Sequence, residues 1–361
     1  MEKEVRSLIS SILNQRTLPP VLDSGKDWEK RRMELKSILC QSEYGYLPLP
    51  PKDALYTVLS EDKSFCASKA VLRKVLITLL TETGEFSFPI YCAVPNTGKP
   101  CPVLLHINFR DDVPDKYMPT EEICDHGFAI VSFCYKDVTD DNDDFTDGIA
   151  GTIFPTGIRH GASAGKIMLW AWAAMRVMDY IQEQPWADQK RVAVAGHSRL
   201  GKTALVAGAL DERFAFTFSN DSGCCGAAIS RGKAGESVSA ICTKFPFWFC
   251  ENFRAYIDHE DALPLDQHFL LAMIAPRFLY VASAQDDAWA DPSSEFLGCA
   301  AVSPVYQMLG KKGFVAPDRL PEPGDVFHDG EIGYHLRTGT HYFSRYDWLR
   351  FMEFMDKHKC E

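Results

Sequence analysis

Apolar runs bounded by Gly, Pro and Asp set in near residue 71: VLITLLTE, FSFPIYCAV, PVLLHINF and FAIVSFCY each have the length and texture of one strand. Residues 1–50 read differently. They carry two helical segments, the second holding Trp28, Met33, Leu35, Ile38 and Leu39, and then the turn-rich YGYLPLPP, so a helical cap is expected ahead of the sheet. Beyond residue 165 the period lengthens into an apolar helix to about residue 181. It leads to the strand RVAVAG, a second helix over about 199–210 and the strand FAFTFS. A long insertion comes next, then the strand FLYVASA, a helix over about 296–309 and a last helix over about 345–358. Alternating strands and helices predict an α/β fold, with a mostly parallel central sheet covered by helices on both faces. One domain over 1–361, with 1–50 as its helical extension, is the simplest organisation.

Composition narrows the function classes. Hydrophobic residues make up 46% and charged residues 24% of 361, enough to bury a large core. Forty-nine acidic against 38 basic residues give a net charge of −11, which repels a phosphate backbone, so nucleic acid is not an expected partner. The opening MEKEVRSLISSILNQRTLPP has no unbroken apolar core or small-residue cleavage site, and a cytoplasmic chain is expected as the sequence stands. The most apolar stretch, residues 167–175, is soon interrupted by Arg176 and Asp179, too short for a membrane span. Twelve cysteines without a C-x-x-C pair read as mostly free thiols. Residues 137–147 hold six aspartates, but calcium-loop spacing would put Phe145 where an oxygen ligand is needed, so a solvated loop is expected.

The chemistry concentrates in GHSRLGKT, residues 196–203, between a strand and a helix. It satisfies the phosphate-loop pattern, in which Lys202 would reach phosphates and Thr203 would hold magnesium. It also resembles a nucleophile elbow with Ser198 on the sharp turn, although the second glycine comes one residue late. The C-terminal part of the chain favours the elbow. Asp287 lies just past the strand FLYVASA and His341 precedes the last helix, giving the order Ser, Asp, His of a triad hydrolase. His106, His328 and His335 have no better role than structural groups.

The octet, with its continuation GHSRLGKTAL, resembles the serine motif of the glucuronoyl esterases, carbohydrate esterase family 15, especially its bacterial members. The stretches SNDSGCCGAAISRGKAGE, LDQHFLLAMIAPRFLYVASAQDDAWADP and GYHLRTGTHYFSRYDW are similar too, so the resemblance spans most of residues 90–358. It implies an α/β-hydrolase fold, no metal or other cofactor, and cleavage of the ester between a (4-O-methyl-)glucuronic acid on xylan and an alcohol. Ser198 would attack the carbonyl, His341 would carry the proton and Arg199 would serve the oxyanion site. Lys202, Trp289 and Glu236 would contact the sugar. The acid is expected to be Asp287, matching an aspartate of some bacterial members. Asp221, where fungal members have glutamate, is the alternative. His197 replaces the cysteine of the fungal motif, so the corresponding disulfide is lost. Another carbohydrate acyl esterase such as an acetyl xylan esterase, a phosphate-loop nucleotidase and an inactive sugar-binding protein remain as alternatives. The sequence carries no signal of oligomeric state.

Overall fold

Ten strands join into one sheet in the computed structural model of the chain, which describes residues 7–359 apart from 24 and 26. Residues 1–6, on which the expectations of a helical cap and of a leaderless start partly fall, lie outside the described residues. Helices α1 (Leu8–Gln15) and α2 (Trp28–Leu39) come first, each capped by a side chain, Ser7 and Asp27 respectively. The strands are β1 (Asp53–Asp62), β2 (Ala70–Leu80), β3 (Glu85–Pro95), β4 (Cys101–Asn108), β5 (Ala129–Cys134), β6 (Ala187–His197), β7 (Phe216–Asn220), β8 (Phe278–Ala284), β9 (Val326–Phe327) and β10 (Ile332–Arg337). Their order across the sheet is β1-β2-β3-β5-β4-β6-β7-β8-β10-β9. The block β5 to β10 is parallel, while β1 to β3 and β9 are antiparallel additions at the edges. This is the α/β-hydrolase arrangement.

Strand alternation explains the two cores. Val103, Leu105, Val192 and Val194 face helices α3 (Lys166–Gln182) and α4 (Arg199–Leu210), joined in the same cluster by α5 (Pro292–Met308). Leu104, Ala193 and Ala195 face the other way, towards α6 (Arg345–Lys357). Helix α3 is apolar nearly all round because sheet and insertion cover it together, and Trp170 and Trp172 are fully buried. No helix among the described residues is long and apolar enough to cross a membrane.

Three strands escape the sequence pattern, of which β9 is only two residues long. β1, which lies between the expected cap and the first expected strand, is an edge strand in which only Ala54 and Tyr56 are half-buried, so its alternation is too short to read. β10 is fully buried yet reads IGYHLR, because His335 and Arg337 find their hydrogen-bond partner inside the protein in Asp347 rather than in water. The eleven described cysteines are all free.

Candidate active site

The turn from β6 into α4 holds Ser198 at φ 58°, a left-handed conformation costing about 1–3 kcal/mol in a residue with a Cβ. The fold holds it there by backbone bonds. Ser198 N donates to Asn220 O at 2.9 Å, and Ser198 O accepts from Gly201 N at 2.9 Å and Lys202 N at 3.2 Å. Glycine is required before the serine and favoured after it. A Cβ on Gly196 would lie 2.0 Å from Leu200 O, and one on Gly201 would crowd Asn220 O and the Ser222 side chain at 3.1 Å. The late glycine therefore marks where α4 passes β7. The first N–H groups of α4 have no acceptor within the helix and open beside Ser198.

His341 arrives from the far side of the sheet, on the loop after β10. Its Nδ1 lies 2.6 Å from Asp287 Oδ2, which puts the proton on Nδ1 and leaves Nε2 as the basic nitrogen. Burial pushes the Asp287 carboxyl up, but the His341 hydrogen bond and charge outweigh it and hold the group below the usual aspartate range. Arg337 braces this loop from inside, donating to Thr338 O at 3.1 Å, to Tyr342 O, and to both Asp347 oxygens at 3.1 Å. His197 packs its ring 4.4 Å from that of His341 and shares a 2.6 Å hydrogen bond with Asn220 Oδ1. Burial, with His341 next, pushes His197 down to about 3, so it stays neutral.

Asp221 comes directly after β7 and is also close, but differently engaged. Its Oδ1 accepts from Ala284 N at 2.7 Å and its Oδ2 from Arg337 at 3.2 Å. Burial, then the nearby Glu295 and Asp347, push its carboxyl well above the usual range, against the pull of Arg337. Ligand atoms of Asp221, Asp287 and His341 lie within 4.8 Å of one another, yet Arg337 already places positive charge there, which disfavours a cation.

The remaining expected residues fall around this centre. Arg199 pairs with Asp141 and lies over Trp248, 4.8 Å from the ring centroid. Lys202 turns inward: it is 4% exposed and donates to Ser222 O at 2.6 Å, one of its three donors. Trp289, by contrast, is 58% exposed. Its loop is held rigidly, with Glu236 N donating to Trp289 O at 2.9 Å and Ala234 N to Asp291 at 2.8 Å. The phosphate-loop reading does not fit. Thr203 is fully buried and donates backwards to Arg199 O at 3.0 Å, so it cannot hold a magnesium ion above the turn. The acidic segment is also not simply solvated, since Asp141 and Asp147 are tied to Arg199 and Lys166. Asp141, Trp248, Glu295 and Arg337 belong to the centre without any signal in the sequence. One aspartate among six, and an arginine within a charged strand, carry no local mark.

Glu295, at the start of α5, lies beneath both acids. It accepts from Ser283 Oγ at 2.6 Å and Gly223 N at 2.9 Å, and burial pushes it up from 4.5 to about 7. A raised acid favours the fold in its protonated form, so its contribution is full below pH 4.5 and lost as pH rises through about 7. Glu295→Gln, neutral at every pH, should remove up to about 3 kcal/mol of the stability loss between pH 4.5 and 8. Urea unfolding at both pH values checks this, and identical slopes for both proteins would refute it.

The chain is similar to known esterases over most of its length. The family model described as glucuronyl esterase, fungi, matches residues 77–310. A carbohydrate esterase, MZ0003, from an unknown prokaryotic organism is 34% identical over 93% of this chain and 86% of its own. The 4-O-methyl-glucuronoyl methylesterase 1 of Wolfiporia cocos is 29% identical over 89% of this chain and 80% of its own. A solved promiscuous family 15 esterase from a marine bacterial metagenome superposes with a TM-score of 0.86 at 34% identity, covering 95% of this chain and 97% of that one. An elbow serine, a carboxylate-bound histidine and this agreement lead to one conclusion: the chain is an esterase belonging to the glucuronoyl esterases, carbohydrate esterase family 15.

Proposed function

We propose that Ser198, His341 and Asp287 act as an acyl-transfer triad on esters of (4-O-methyl-)glucuronic acid, including those on glucuronoxylan fragments. The observation that carries this reading is the 2.6 Å pair of His341 Nδ1 and Asp287 beside the strained Ser198 turn. Ser198 Oγ attacks the ester carbonyl while His341 Nε2 accepts its proton. The tetrahedral oxyanion is met by the free N–H groups opening α4 and by Arg199. His341 then returns the proton to the departing alcohol, and water releases glucuronate by the same steps in reverse roles. Asp287 keeps the imidazole oriented and stabilises its cation. The name of the Wolfiporia cocos relative supports the uronate ester as substrate. Trp289 offers its exposed face to the sugar ring, with Glu236 and the remaining Lys202 donors as polar partners.

The test is hydrolysis of benzyl glucuronate, with and without EDTA, alongside thermal stability in millimolar magnesium ATP. Turnover that survives EDTA, with no stabilisation by nucleotide, is expected. Failure to hydrolyse any carboxylic ester overturns the reading. Trp289→Ala should raise KM on the glucuronate ester about tenfold or more, since a covered aromatic face is worth roughly 1.5–3 kcal/mol, and leave p-nitrophenyl acetate unaffected. Equal losses on both esters would take the ring out of the sugar site.

A further inference from the structure

The acidic segment between β5 and α3 has no part in the triad, yet one of its six aspartates reaches the active centre. We propose that Asp141 is a positioning residue that fixes the guanidinium of Arg199 in the geometry it needs during ester cleavage. This rests on the proposed role of Arg199 at the oxyanion.

Asp141 gathers three donors from three separate parts of the fold. Oδ1 accepts from Trp248 Nε1 at 2.7 Å, and Oδ2 accepts from the Tyr135 hydroxyl at 3.2 Å and from Arg199 Nη1. Tyr135 stands at the end of β5, Trp248 in the insertion after β7, and Arg199 at the first position of α4. The carboxylate thus ties the insertion to the helix that begins just past Ser198. Trp248 also forms a floor under the guanidinium, backed by Phe245 stacked at 3.9 Å, and Phe109 stands 5.7 Å from the charge. Between a ring below and a carboxylate at one edge, the guanidinium has one orientation.

The other aspartates are otherwise engaged. Asp140, Asp143 and Asp144 are exposed, Asp137 is half-buried near Asp111 and Lys74, and Asp147 is bound by the fully buried Lys166 at 3.0 Å, which pins the distal end of the segment to α3. That anchor lets Asp141 act as a fixed stop. The effect is electrostatic preorganisation: a long flexible cation contributes to a transition state only if it is already aimed when charge develops. Because Tyr135 and Trp248 share the carboxylate's charge, Asp141 aims Arg199 without cancelling it.

A double-mutant cycle on benzyl glucuronate distinguishes aiming from scaffolding. Arg199→Ala is expected to lower kcat about 10²- to 10³-fold, as loss of an oxyanion donor does. Asp141→Asn should lower kcat about 10- to 100-fold with KM changed less than about threefold, and should cost nothing further in the Arg199→Ala background. An equal kcat loss in both backgrounds would make Asp141 a structural residue and overturn the proposal, as would wild-type kcat in a folded Asp141→Asn. Unimpaired Arg199→Ala would instead remove the oxyanion role of Arg199, and the proposal with it. If Asp141→Asn does not fold, Trp248→Phe, which deletes only the donor to Oδ1 and keeps an aromatic floor, is read by the same cycle.

Discussion

Ser198→Ala is expected to lower kcat on benzyl glucuronate on the order of 10⁶-fold, the scale on which a triad loses its nucleophile. Alanine keeps the Cβ and so the same φ of 58°, and the bonds holding the turn are backbone bonds to Asn220, Gly201 and Lys202. The melting temperature should therefore stay within a few degrees of the wild type, and the variant should still bind glucuronate. The N–H groups of α4 and Arg199 remain, which leaves a residual rate of about 10³- to 10⁴-fold over water. Retention of more than a tenth of wild-type turnover would put the nucleophile elsewhere.

Asp287→Asn is expected to lower kcat by about 10⁴-fold, and Asp221→Asn by tenfold or less. Both carboxylates lie near His341, so proximity does not decide between them. Engagement does. Asp287 makes the 2.6 Å bond to Nδ1 and is held below the usual aspartate range in spite of its burial. It is ready to stabilise the imidazolium. Asparagine there presents an amide N–H to Nδ1 and favours the wrong tautomer. Asp221 is spent on Ala284 N and Arg337, and burial with its acidic neighbours pushes its carboxyl towards the neutral form. Removing its charge leaves the histidine's partner in place. A larger kcat loss for Asp221→Asn, with both variants folded, would reverse the assignment.

The parts of this architecture that announce themselves in sequence are those whose environment is local. Buried parallel strands such as RVAVAG and FLYVASA must be apolar on both faces, and Gly196 before Ser198 is demanded by a contact a Cβ cannot survive. The order of Ser198, Asp287 and His341 reflects the order of strand ends. Elements whose stability is relational stay hidden. β10 tolerates His335 and Arg337 only because Asp347, on the next helix, meets them in space. β1 packs only Ala54 and Tyr56 against the core, too short a stretch to leave a period. Asp141 differs from its neighbours in the acidic run only by where the chain folds it. Lys202, conspicuous for its place in the motif, commits one of its donors to Ser222 O, a partner that the motif does not announce.

Asp221 and Asp287 end neighbouring strands, β7 and β8, and His341 descends from the next strand over. Adjacent strands are separated by about 4.8 Å, so the office of acid can pass from one to the other without rebuilding the histidine loop. In evolutionary terms the site is redundant along one direction of the sheet. Arg337, which binds Asp221 while bracing the histidine loop, gives that carboxylate a structural role of its own. One histidine thus stands within reach of two carboxylates, one bonded to it directly and the other bonded to the arginine that braces its loop.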